Sequence, residues 1–295
     1  MLITWVNPAG LHRRTGGSLY NHYVIEGLRK LGWTVDVREA SEGLVQTGGL
    51  TVIDGLIWPD IELRGGSSVV LLHSPLHRER GGDWRERERE ALATADHIAA
   101  TSALTLHDLD LEGLVIPPGV HPAPASEGEG LLCVAHLIPR KGHRLLQAAL
   151  DRMQNPPRIR CVGSAQVEPA YARELMADRR VDWLGELEDL EPEYQRAGLL
   201  VHCAEFEAWG MVLDEALARE IAVITTPAGA LERCGDQVLV CPRDPEALAE
   251  LLTRWQSDPA FRAQRREAAR RADLPNWEET AMLWSQWLSE RTRIG

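Results

Sequence analysis

Two glutamates, Glu207 and Glu215, stand eight residues apart in the stretch Glu207-Ala-Trp-Gly-Met-Val-Leu-Asp-Glu215. The first closes the apolar run LLVHCAEFE, and the second falls inside the helix predicted to follow. At about 3.6 residues per turn, this spacing brings Glu215 near the face of the helix's first turn. One carboxylate can then stand at the mouth of a cleft and the other along its wall. Gly210, Met211 and Val212 open the helix, where free backbone N–H groups and the positive dipole end can hold a phosphate. Two acceptors for sugar hydroxyls beside an anion site suit a nucleotide sugar.

Other residues could serve the same chemistry. Arg140-Lys141-Gly142 follows a strand-like run and opens a helix, so a cation there would meet a diphosphate at the helix start. A solvated basic turn is the plain alternative. His73 ends the apolar run SVVLLH, and a polar residue at the carboxyl end of a strand faces a cleft. An ordinary core or surface histidine is the competing explanation. Gly16 and Gly17 lie between the first strand and the first helix, where glycine allows close approach of a ligand. Gly163-Ser164 fits a loop touching a nucleotide, or a simple turn. His77 lies four residues after His73, but Pro75 intervenes and no third metal ligand is apparent. Asp108-Leu-Asp110 follows a helix and reads as a solvated turn. Cys133, Cys161, Cys203, Cys234 and Cys241 have no C-x-x-C spacing, so free buried thiols are expected and no metal.

Short apolar runs alternate with amphipathic stretches along all 295 residues. Strands are predicted near LITWV, TVDVR, LTVIDGLIW, SVVLLH, HIAAT and LVIPP, with helices over 18–31, 83–95 and 102–109. The segment 117–130, PPGVHPAPASEGEG, reads as a linker. After it the alternation restarts with LLCVAHL, IRCVG, VDWLG, LLVHCA, AVITT and QVLVCP. Continuous apolar strands between helices predict α/β architecture: two doubly wound parallel sheets, Rossmann-like, facing across a cleft. The boundaries fall at 1–122 with the tail helix 276–295, and at 123–275. In the tail, Trp277, Ala281, Trp284 and Leu288 form one apolar stripe.

A formal net charge of −12 argues against broad nucleic-acid binding. No apolar run approaches a membrane span, and MLITWVNPAG lacks a basic n-region, so a cytoplasmic protein is expected. Arg262, Arg265, Arg266, Arg270 and Arg271 make a basic helix that could give weak peripheral contact with anionic lipid, or simply be a solvated face. The excess of ten Trp over two Phe has no explanation in the sequence alone.

The order VIPPGV, VAHLIPRKG, IRCVGS, VDWLGEL, the glutamate pair, then AVITTPAGALE, resembles family-4 glycosyltransferases of the GT-B fold, with their E-x7-E signature. The resemblance covers nearly the whole chain. It implies retaining transfer of a sugar from a UDP- or GDP-sugar to an unidentified acceptor hydroxyl, with no metal and no other cofactor. Lys141 would stabilise the leaving diphosphate, with Arg140 beside it and the N–H groups of Gly210, Met211 and Val212. Glu215 would hold the ribose, Glu207 would contact the transferred sugar, and His73 would orient it. Gly16-Gly17 resembles the family's N-terminal glycine loop, and Gly229 and Glu232 its loop near the nucleotide. The tail resembles a W-E-x-x-A helix that crosses back to the first domain. Several positions depart from the pattern. His136 replaces an arginine, Ala208 and Ala228 replace glycines, and Glu220-Ile-Ala222 stands where a Gly-x-Pro is usual. These keep a nucleotide-sugar-binding module without turnover as an alternative. A nucleotide-sugar epimerase is another, though it would need acid/base carboxylates of its own.

Overall fold

The computed structural model describes residues 1–10, 15–229 and 232–292, without the side chains of Glu232 and Arg233. The expected role of Glu232 therefore lies outside what is described. The chain divides into two compact units, Met1–Val120 with Pro275–Gly295, and His121–Leu274.

The first unit runs β1 (Leu2–Pro8), α1 (Gly16–Lys30), β2 (Thr34–Ala40), β3 (Gly43–Gln46), β4 (Leu50–Asp54), β5 (Ile61–Arg64), β6 (Ser67–Leu72), α2 (Leu76–Arg80), α3 (Trp84–Leu92), β7 (His97–Ala100), α4 (Ala103–Leu109) and β8 (Leu114–Val115). Its main sheet is parallel, in the order β2-β1-β4-β6-β7-β8. Every residue of β4 is buried, as expected for a strand covered on both faces. A second small sheet pairs β3 with β5, an element the sequence pattern did not announce. The first helix starts at Gly16, two residues earlier than expected. Thr15 caps it by accepting from Ser18 N at 3.1 Å, while Ser18 Oγ accepts from Thr15 N at 2.9 Å.

The C-terminal helix, Trp277–Thr292, belongs to this first unit and packs along α1, as the resemblance implied. Trp277, Ala281, Trp284 and Leu288 are all buried. A Cβ at Gly27 would come within 2.4 Å of Ala281 Cβ, so only glycine allows this helix contact. The tryptophan excess now has a cause. Trp5, Trp33, Trp58, Trp277, Trp284 and Trp287 fill the interior of this unit. Trp5 and Trp284 meet edge to face at 5.4 Å.

The second unit runs β9 (Gly130–Val134), α5 (His143–Leu150), β10 (Ile159–Val162), α6 (Pro169–Leu175), β11 (Val181–Gly185), α7 (Glu191–Gln195), β12 (Ala197–His202), α8 (Met211–Leu217), β13 (Ala222–Thr225), β14 (Val238–Val240), α9 (Pro245–Ser257) and α10 (Pro259–Arg270). Its sheet is parallel, in the order β11-β10-β9-β12-β13-β14. Apolar clusters cover both faces.

The segment 117–130 is not a free linker. Val120 N donates to Pro275 O at 2.8 Å in the first unit. Ser126 is buried in the second, donating from N to Arg219 O at 2.8 Å and from Oγ to Ala197 O at 2.7 Å. The five basic-helix arginines are also not a simple solvated face. Arg266 binds the carbonyls of Ser126 and Gly128, and Arg262 those of Trp255 and Gln256. Arg265 reaches Asp236 O, Arg270 pairs with Glu220, and Arg271 pairs with Asp236. None of the helices among the described residues is long and apolar enough to cross a membrane.

Candidate active site

In the second unit the chain passes from β9 to β10 on one side of the sheet and from β12 to β13 on the other. The loops leaving neighbouring β9 and β12 therefore part at their carboxyl ends, where doubly wound sheets bind ligands. The two strongest candidates meet there. Lys141 comes from the loop after β9 and Glu207 from the loop after β12, and their side chains form an ion pair, each 15% exposed. The loops are tied to each other: Glu205 N donates to Arg140 O at 2.7 Å. Gly142 makes this possible. It has φ 71°, and a Cβ there would lie 1.9 Å from Cys203 O.

Behind Glu207 stands His202, a residue the sequence reading passed over. Its Nε2 lies 3.2 Å from Glu207 Oε1 and its Nδ1 3.0 Å from Thr225 Oγ1. The neutral tautomer that donates from Nε2 to the carboxylate accepts the Thr225 hydroxyl at Nδ1. Burial works to raise the Glu207 carboxyl, but the Lys141 charge and the His202 contact carry it far below the usual range. The signal was present in the sequence: His202 ends an apolar strand, as His73 does.

Glu215 lies on α8, half-buried, where Tyr194 Oη donates to its Oε2 at 2.6 Å. Burial pushes its carboxyl up, and Tyr194 and Arg219 offset this only in part. Gly210 caps α8 from a left-handed conformation, and Met211 and Val212 form its first turn. The Glu207 N–H bonds to Ala228 O, and Glu207 bridges to Gly229. Gly163 donates to Gly185 O at 2.9 Å, and Ser164 N donates to His136 Nδ1 at 3.1 Å. His136, in place of the expected arginine, thus braces the loop after β10. Glu220 takes φ 56° just past α8 and pairs with Arg270, so this departure lies at a helix end.

In the first unit, His73 follows β6 and Gly17 packs on it. A Cβ at Gly17 would lie 3.0 Å from His73 Cδ2, so a side chain there would push the ring away. Gly16 is exposed beside it. His73 Nε2 lies 3.0 Å from Asn21 Oδ1 and 3.4 Å from Asp54 Oδ2. Asn21 Nδ2 donates to Asp54 and to Asn7, each at 3.0 Å. Burial raises the Asp54 carboxyl, but His73, the Leu56 N–H and Asn21 bring it below its usual value. Asp54 and Asn21 were not singled out from sequence, although Asp54 ends an apolar run in the same way as His73.

His77 does not join His73. Its Nε2 faces Asp108 at 3.0 Å, and its Nδ1 faces Glu88 at 3.7 Å. Asp108 also takes the Arg78 guanidinium at 2.8 and 3.0 Å, so this half of the D-x-D is a partly exposed clamp. Asp110 alone is solvated, with its side chain 83% exposed.

The chain resembles known proteins in both sequence and fold. Residues 128–258 match the family "Glycosyl transferases group 1". The chain is 27% identical over 259 residues to the exopolysaccharide phosphotransferase SCO2592 of Streptomyces coelicolor, covering 78% of this chain and 26% of that protein. It is 29% identical over 206 residues to the lipopolysaccharide core biosynthesis mannosyltransferase LpcC of Rhizobium leguminosarum bv. viciae, covering 60% of this chain and 58% of that one. The chain thus spans only part of the length of either relative. Anabaena Alr3699/HepE, solved with UDP-glucose, is similar with a TM-score of 0.79 at 16% identity, over 98% of this chain and all of that one. Residues 128–258 are thus similar to the group 1 glycosyl transferases, and the two Rossmann-like units have the GT-B fold.

Proposed function

We propose that the chain is a retaining glycosyltransferase that moves a sugar from a UDP- or GDP-sugar to an acceptor hydroxyl, without a divalent metal in the transfer step. The observation that carries this reading is the Lys141–Glu207–His202 cluster at the parting of β9 and β12. Lys141 turns from Glu207 to the diphosphate, and His202 keeps a donor on the carboxylate when it does. The bond from the anomeric carbon to the phosphate oxygen breaks, and its electron pair leaves on the diphosphate. Lys141, Arg140 and the N–H groups at Gly210, Met211 and Val212 stabilise that charge in place, commonly the largest catalytic contribution. The acceptor oxygen bonds to the anomeric carbon on the vacated face, and its proton passes to the departing phosphate. Glu207 holds the transferred sugar, Glu215 the ribose, and Gly163 borders the nucleotide. The solved HepE complexes with UDP and with UDP-glucose support a nucleotide-sugar donor.

Pure protein incubated with a panel of UDP- and GDP-sugars should release the nucleoside diphosphate slowly, with water as acceptor. With α-linked donors the α-anomer should appear first by proton NMR, and added Mg2+ or Mn2+ should leave the rate unchanged. Tight binding of a nucleotide without release from any sugar would instead favour the binding module. Initial β-product would rule out retention.

Glu215→Gln should weaken UDP or GDP binding by roughly 1.5–3 kcal/mol, about 10- to 150-fold. Glutamine keeps an acceptor for Tyr194, so the fold should lose less than about 1 kcal/mol. Isothermal titration beside a urea melt separates the two. Unchanged affinity would remove the ribose assignment.

A further inference from the structure

Cys133 and Cys161 are register partners on neighbouring parallel strands, β9 and β10. Both side chains therefore fall on one face of the sheet. His143, the first residue of α5, closes the group, and the three ligand atoms all lie within 4.8 Å of one another. Each residue is almost fully enclosed, with His143 1% exposed. Neither ring nitrogen of His143 has a hydrogen-bond partner, although a buried polar atom ordinarily has one.

We propose that Cys133, Cys161 and His143 form a binding site for a thiophilic d10 cation, Zn2+ or Cu+. Two soft sulfurs and an imidazole select such ions over Mg2+ or Ca2+. Two thiolates cancel the charge of Zn2+, which suits a site without water. Cu+ is satisfied by the three ligands. Zn2+ calls for a fourth; Cys203, buried just past neighbouring β12 against Gly142, lies outside the group of three and would have to move in. The ion would staple the start of α5, two residues past Lys141, to the central strands. The ligands come from three separate elements, so no short motif marks them in the sequence.

The test uses the full chain, purified under reducing conditions without chelator. Its metal content is measured, and stripped protein is then refolded with Zn2+ alone or with Cu+ alone. Binding predicts close to one ion per chain and a melting midpoint higher by about 5 °C or more. Metal-edge X-ray absorption of the wild type should show sulfur neighbours at about 2.3 Å. Cys133→Ala/Cys161→Ala and His143→Phe should each lose uptake. Loss of Zn2+ but not Cu+ uptake in Cys203→Ala would support the four-ligand zinc form. Uptake below about a tenth of an ion with both metals at an unchanged midpoint overturns the site. So does an absorption spectrum without sulfur neighbours, which needs no variant to fold.

Discussion

Lys141→Ala should lower kcat/KM for transfer by about 100- to 1,000-fold, the usual consequence of removing one donor to a developing anion. Affinity for the nucleoside diphosphate should fall, and affinity for the nucleoside alone should hold. The substitution also strands Glu207, which is mostly enclosed and then keeps only His202. Breaking a buried pair from one side costs about 3–5 kcal/mol, and the residual exposure here puts the expected loss below that. Lys141→Ala/Glu207→Gln should recover much of that stability without recovering diphosphate affinity. If stability and affinity recover together, Lys141 serves the fold and not the phosphate.

The same pair sets an acid dependence. Glu207 is held far below its usual 4.5 in the folded chain, so the unfolded chain binds the proton first as pH falls. The stabilisation is fully present above that usual value and is lost as pH drops through the folded one. In Lys141→Ala the folded value rises, because burial then acts with less to offset it, so less stability is lost in acid. Urea melts between pH 3 and 7 would show the gap in stability between the wild type and the variant narrowing toward acid.

The helix–strand alternation was legible because most core strands are covered on both faces and so read as unbroken apolar runs. The E-x7-E spacing was legible because it lies within one loop and one helix. The Lys141–Glu207 contact was not, since it depends on β9 lying beside β12 and not beside β11. That is a choice of strand order, invisible to local pattern. His202, Asp54 and Asn21 hide for the same reason, each being defined by a partner 5 to 52 residues away. The segment 117–130 misled because Pro and Gly mark local geometry. Its bonds to Pro275, Ala197 and Arg219 are set by distant elements.

Deleting residues 276–295 should unfold the first unit rather than merely loosen it. The sequence pattern alone suggests a clasp, whose removal would leave each domain intact. The packing assigns the helix a larger part. Trp284 is fully buried, and its Nε1 donates to Tyr20 Oη at 2.8 Å. Tyr20 in turn donates to Ile116 O at 2.9 Å, so the helix, α1 and the end of β8 share one buried chain of bonds. Trp33 Nε1 reaches Ser285 at 2.9 Å, and Thr280 reaches Pro117 O at 3.0 Å. Trp284→Ala alone should cost about 3–5 kcal/mol, a large share of the roughly 5–15 kcal/mol that keeps a domain folded. Losing the whole helix also removes Trp277, Ala281, Trp287 and Leu288 from the core and leaves the Tyr20 ring open to water. The second unit keeps Lys141, Glu207 and Glu215 with its own apolar clusters, so nucleotide binding should persist. Hydrogen exchange on the truncated chain decides between the two pictures. Protection should vanish from β1, β4 and α1 and remain in β9 and β12. Full protection in β1 and α1 would show that the helix is only a clasp.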